Sequence, residues 1–291
     1  MRYRKTTPYL FILPTVIGLV LFRYYPIVSV VVNSFRRWQM PAPPYWLGRG
    51  NYQEMLGSDQ FWLVVRNTFV FVGLYVPGVV IGALILALLI HQRLPAISFF
   101  RGLFFMPYIT SMVAVAMVWN WIFATRFGIL NHFLKTIFHI TDPIAWLAER
   151  PYSLLVLIVV SVWKTAGFQM LVFLAGLQAI PRSLYEAARV DGATRRQSFL
   201  RITLPLLSPV TFFVVVNSVI QAFRTFEVTY AMTQGKPLYA SATLAYYVYQ
   251  NAFVFQRMGF ASGLACMLVL LVGLATLVNF LFKNRWVHYQ V

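Results

Sequence analysis

Acidic residues are scarce in this chain, with seven Asp and Glu against 24 Lys and Arg in 291 residues. Charged residues of both signs make up 11%, far below the roughly 25% usual in a soluble domain. The seven acids fall in loops or at the ends of apolar runs, so no span centre holds a carboxylate for a proton relay. Cysteine is limited to Cys266, inside an apolar run, which excludes a disulfide framework and gives no thiol chemistry to argue. Of the four histidines, His91 and His288 stand apart. His132 and His139 share a segment without a helper carboxylate and read as surface residues, so no metal site is expected. H-E-x-x-H, G-x-S-x-G and C-x-x-C do not occur, and we expect neither catalytic residues nor enzyme activity. The phosphate-cradling G-x-x-x-x-G-K-[ST] is missing too, since the single Gly-Lys pair, Gly235-Lys236, is followed by Pro237. If ATP drives this protein, another polypeptide must bind it.

What the chain has in plenty is apolar sequence, 60% of its residues. Stretches long enough to cross a bilayer, which takes about 20 residues, recur near 9–34, 67–90, 102–123, 152–177, 202–226 and 259–282. The ten-residue alternation of an outer-membrane barrel is absent. The expected fold class is all-α, a polytopic membrane protein of six transmembrane helices, with residues 1–291 forming one transmembrane domain. The first span is too long for a simple signal peptide and lacks its small-residue cleavage site, so it is expected to remain. With the N-terminus in the cytoplasm, the inner segments 1–8, 91–101, 178–201 and 283–291 hold 12 of the 24 Lys and Arg. The longer outer segments 35–66, 124–151 and 227–258 hold nine. That bias places both termini inside. The net charge of +17 is scattered through short loops rather than set in a basic stripe. It suits anionic inner-leaflet lipid and not a nucleic acid.

One inner segment is unlike the others. From Glu186 to Pro209 it reads EAARVDGATRRQSFLRITLPLLSP, a polar, arginine-bearing run between two apolar ones. Ser183 stands three residues before Glu186, and Thr194 three before Gln197, the spacing of two capping boxes. Gly192 is the residue best able to end the first helix in a left-handed conformation. Two short helices joined by a tight turn are expected, with Pro205 and Pro209 marking entry to the next span.

Polar residues also recur inside the spans on either side. Ser161, Lys164, Thr165 and Phe168 share one face of the fourth span, and Asn217, Gln221 and Arg224 share one face of the fifth. Helix-to-backbone bonding, helix–helix contacts and snorkelling can each explain a single such residue. Two polar faces on neighbouring spans admit a second reading, a solute pathway.

Glu186-Ala187-Ala188, Asp191-Gly192-Ala193, Ile202, Leu204 and Pro205 resemble the EAA loop of binding-protein-dependent ABC importers. Further blocks similar to that family are Tyr25-Pro26-Ile27, Ser34-Phe35, Gly50-Asn51-Tyr52, Pro107-Tyr108, Gly128-Ile129-Leu130-Asn131, Trp163-Lys164 and Ile180-Pro181. The resemblance runs from about residue 9 to 283 and is to permease subunits of type I importers for carbohydrates and glycerol-phosphate esters, the maltose type. It implies a multi-pass protein of the bacterial or archaeal plasma membrane. The implied partners are a second homologous permease, two ATPase subunits that carry ATP and Mg, and an extracytoplasmic solute-binding protein. This chain itself would bind no cofactor. Glu186, Ala187, Ala188, Asp191, Gly192 and Ala193 would couple it to the ATPase, with Glu186 in the first turn of its helix. Positions matching the family's sugar site are Ser161, Lys164, Thr165 and Phe168 on the fourth span and Asn217, Ile220 and Gln221 on the fifth. Lys164 replaces an uncharged residue of the maltose pattern. The alternative is an ATP-independent secondary carrier or channel for a small polar solute.

Overall fold

The computed structural model describes residues 7–92, 96–140 and 142–287. Arg93, His288 and the rest of segments 1–6, 93–95 and 288–291, which entered the charge count, lie outside the described residues. The described residues are mostly helical, and the helices long and apolar enough to span a membrane are Phe11–Ser34, Asp59–Ile90, Tyr152–Ala179, Arg195–Phe223 and Met258–Lys283. A sixth candidate span comes from two shorter helices, Ile97–Ile109 and Met112–Ile122, bent by 97° at Thr110-Ser111. The sequence suggested one straight helix over 102–123. The backbone at Thr110 and Ser111 is instead extended, with ψ near 141° and 136°. Pro107, just before the break, has no N–H to continue the ladder.

Two further spans are locally unwound at proline. Phe199–Thr203 forms a π-helical turn in which the Leu204 N–H reaches back to Phe199 C=O, and Pro205 follows. Val20–Tyr24 does the same ahead of Pro26. An extra residue in the turn relieves the clash of the proline ring with the preceding carbonyls. Pro205 and Pro209 thus lie within the fifth span, which starts at Arg195 rather than at 202. It ends at Phe223, so Arg224 caps it and does not sit in it.

The chain divides into two compact units, residues 1–61 with 247–270 and residues 62–246 with 271–291. In the first, a two-stranded ribbon pairs Arg36–Arg37 with Tyr45–Trp46 and leads to the helix Gly50–Leu56. Asn51 explains why that helix carries Gly-Asn-Tyr. Its buried amide donates to Ser34 O at 2.8 Å and Arg36 O at 2.9 Å, and Tyr52 Oη donates to Ser34 Oγ at 2.7 Å. Glu54 pairs with Arg257 in the same unit.

The second unit holds two apolar clusters. One gathers Phe71, Tyr75, Val115, Leu157, Val160, Ala222 and their neighbours. The other gathers Ala83, Ala87, Met170, Phe173, Leu207, Val214 and theirs. Polar residues of the second span tie down the loop after the fifth. Asn67 Nδ2 donates to Tyr239 O at 2.8 Å, and Thr68 Oγ1 accepts from the Leu244 N–H at 2.9 Å. Thr243 Oγ1 donates to Thr225 O at 2.6 Å, so residues 225–231 are held where the fifth span ends. Asn131 anchors the loop after the bent span. Its amide donates to Thr125 O and Ile144 O, and its carbonyl oxygen accepts from Trp146 Nε1.

Candidate functional site

A cleft of about 800 Å³ opens in the second unit beside the first apolar cluster. Four pieces of chain build it: Tyr75 of the second span, residues 108–113 at the break, the polar face of the fourth span, and the end of the fifth with residues 224–231. Of the residues singled out in the sequence, Ser161, Lys164, Thr165 and Gln221 line it. Phe168, Asn217 and Ile220 do not. Phe168 stacks on Tyr108 at 4.7 Å between ring centres, behind the cleft wall. Asn217 accepts a hydrogen bond from Gln221 Nε2 at 2.8 Å and so holds that side chain.

Reasoning from the sequence left out Tyr75, Tyr108, Thr225, Glu227 and Tyr230 as cleft residues. Tyr75 carried a signal, because a phenol in an apolar span needs a partner for its hydroxyl. That partner is Thr165 Oγ1 at 3.0 Å, and Thr165 in turn donates to Ser161 O at 2.8 Å. Glu227 gave none, because the segment after the fifth span reaches the cleft only once Val228 and Met232 pack into the first apolar cluster and Thr225 O accepts from Thr243.

Lys164 has a definite place. Its Nζ donates to Thr110 O at 2.6 Å, Pro107 O at 3.1 Å and Tyr108 O at 3.3 Å. These carbonyls end the helix Ile97–Ile109 and lack the intrahelical partners that a continuous span would give them. The ammonium also meets the negative end of that helix dipole.

The segment 178–201 forms a second candidate site. Its first helix is Arg182–Val190, with Pro181 at the N-cap and no side-chain cap. The capping box expected of Ser183 and Glu186 therefore does not form. Helical geometry begins one residue before Ser183, because Pro181 favours extended backbone and ends its own segment. Glu186 falls in the second turn, exposed, and not in the first, where the dipole would favour it. The second expected box is present. Thr194 Oγ1 accepts from the Gln197 N–H at 3.3 Å, and Gln197 Oε1 accepts from the Thr194 N–H at 2.8 Å.

Gly192 takes φ +75°, the left-handed conformation expected of it. The Ala193 N–H then reaches Ala188 O at 2.8 Å and the Gly192 N–H reaches Arg189 O at 3.2 Å, which closes the helix as a Schellman motif. Asp191 is the C-cap residue. Glu186, Ala187, Asp191 and Gly192 are exposed, while Ala188 and Ala193 are half-buried. Tyr185 Oη and Thr203 Oγ1, 2.9 Å apart, tie the loop to the fifth span.

Residues 64–287 match the family described as the binding-protein-dependent transport system inner membrane component. The chain belongs to this family. As an ABC importer permease it is 38% identical to the probable ABC transporter permease protein YesP of Bacillus subtilis (strain 168), over 97% of this chain and 92% of the relative. It is 32% identical to the sn-glycerol-3-phosphate transport system permease protein UgpA of Agrobacterium fabrum (strain C58 / ATCC 33970), over 98% and 97%. Among solved structures it is similar to a chain of a bacterial ABC transporter involved in the import of the acidic polysaccharide alginate. That match has a TM-score of 0.84 and 25% identity, covering 96% of this permease and 95% of that chain. The permease thus has the type I ABC importer fold and is a multi-pass inner-membrane protein.

Proposed function

We propose that the permease forms half of the translocation path of an ATP-driven importer for a sugar or a related polyol or sugar-phosphate solute. The observation that carries this reading is the cleft, where Ser161, Lys164, Thr165 and Gln221 meet Tyr75, Tyr108 and Arg224 between apolar spans. Hydroxyls, amides and aromatic edges in one recess suit a polyhydroxylated solute, and intramembrane polar groups gathered on a cavity mark pathways. The importers of glycerol-3-phosphate and alginate among its relatives support that solute class. Phe168, through Tyr108, and Asn217, through Gln221, support the lining, and Ile220 is proposed to lie beside the path.

Energy enters through the loop 178–201, with Glu186, Ala187, Ala188, Asp191, Gly192 and Ala193 presented to a separate ATPase. A second homologous permease, two ATPase subunits with ATP and Mg, and an extracytoplasmic binding protein complete the assembly. Both termini lie in the cytoplasm, and residues 1–291 act as one transmembrane domain. Family membership favours this reading over an ATP-independent carrier.

The test is reconstitution. The purified permease alone binds no ATP, because it has no phosphate-binding loop. Joined with its ATPase and second permease, it shows hydrolysis that rises when loaded binding protein is added. Micromolar nucleotide binding by the isolated chain, or hydrolysis indifferent to binding protein, would overturn the reading.

Side chains of the cleft give a finer check. Removing one hydrogen bond costs about 0.5–1.5 kcal/mol, and ~1.4 kcal/mol is a factor of ten. Gln221→Ala should therefore weaken solute retention roughly two- to ten-fold and leave basal hydrolysis intact. Val216→Ala, on the other side of the same helix, is the control. Val219 is not one, because at 6% exposure its truncation would open a cavity. Equal losses from Val216→Ala and Gln221→Ala at equal membrane levels would count against the cleft as the path.

A further inference from the structure

The cleft contains a lysine whose donors all point to protein. Lys164 Nζ carries three N–H groups, and it has three acceptors, the carbonyl oxygens of Thr110 at 2.6 Å, Pro107 at 3.1 Å and Tyr108 at 3.3 Å. Those oxygens sit where the third span turns through 97°. A broken helix in a bilayer leaves carbonyls without the next helical turn, and such breaks are tolerated only where protein groups or a water-lined cavity re-satisfy them. On the same segment Tyr108 lines the cleft and stacks on Phe168 at 4.7 Å.

We infer that Lys164 is a positioning residue: it caps the end of the helix Ile97–Ile109 from the fourth span, holds the bend, and so sets Tyr108 and residues 110–113 along the cleft. The ammonium serves the backbone and not an anionic group on the solute. Recognition of an anionic group in the cleft then falls to Arg224, which also lines it. The fourth and third spans become one mechanical unit at this point. Gly167 lets them touch, since a Cβ there would lie 1.8 Å from Phe104 O. A cation one turn before that contact is in place to hold the end of the same helix.

The bend can be measured without any solute, so the inference stands or falls separately from the transport reading. Spin labels at Phe99 and Val118, both exposed, flank the break. At 1.5 Å per residue, their backbones are about 28 Å apart on a straight helix and about 19 Å apart across the observed bend. In the full chain, with Cys266 replaced by Ala and the protein in lipid nanodiscs, the parent should give the short distance. Lys164→Met keeps the stem and loses the donors, and Lys164→Ala leaves a hole. Both should shift population toward the long distance. Adding n-propylammonium to Lys164→Ala restores donors in that hole and should bring back the short distance. Tetramethylammonium, charged but without N–H groups, should not. An unchanged short distance in both variants overturns the inference, as does equal rescue by the two cations.

Discussion

Glu186→Lys is expected to release the ATPase and stop uptake while the permease still reaches the membrane in normal amount. The side chain is exposed in the second turn of Arg182–Val190, where a reversed charge leaves the loop's own bonds untouched. Those bonds are the Schellman closure at Ala188 and Ala193 and the Thr194–Gln197 box. The effect must then arise at a docked partner. Removing one member of a buried, hydrogen-bonded charge pair at an interface costs about 2–5 kcal/mol. That corresponds to association weakened roughly thirty- to several-thousand-fold. Copurification from solubilised membranes reads it directly. A full complement of ATPase on the mutant, with unchanged uptake, removes Glu186 from the coupling surface.

A large loss of stability is expected at Gly167→Ala. The added Cβ would lie 1.8 Å from Phe104 O, 2.6 Å from its carbonyl carbon and 3.2 Å from Phe105 Cα. All three are backbone atoms of the helix Ile97–Ile109, so no side chain can swing aside. That helix must move away from the fourth span, and overpacking of this kind costs about 1–3 kcal/mol or more. The melting temperature of the purified permease in detergent should fall by roughly 2–5 °C. Gly82→Ala is the matched control, a membrane-helix glycine with nothing within 4 Å of the added carbon. It should be neutral or slightly stabilising, because Ala favours the helix by about 0.5–1 kcal/mol over Gly. Equal melting of the two variants would show that the fourth span and the bent one do not pack as described.

The sequence by itself determined the membrane class, the places of the apolar runs and the two-helix form of segment 178–201. Long apolar runs can be read without tertiary context because a bilayer demands about 20 apolar residues wherever they fall. The turn at Gly192 was legible for a similarly local reason, since a left-handed residue at a helix end favours glycine. Thr194 and Gln197 formed their box three residues apart, as the pattern requires. Ser183 and Glu186 had the same spacing, but Pro181 moved the start of the helix and left the pair without a cap to make. Spacing proposes a cap, and the backbone before it decides.

The tertiary structure alone decided the break in the third span and the membership of the cleft. Apolar residues dominate 102–123, and Pro107 with Thr110-Ser111 marks a weak point in the run without fixing a 97° bend. What makes the bend tenable is Lys164, more than 50 residues away in sequence, whose ammonium satisfies carbonyls that lipid could not. Glu227 and Tyr230 reach the cleft for the same kind of reason, held there by the packing of Val228 and Met232 and by the bond from Thr243 to Thr225. Local patterns fix elements because their energies depend on neighbours in sequence. The cleft depends on side chains that meet only after the spans have packed.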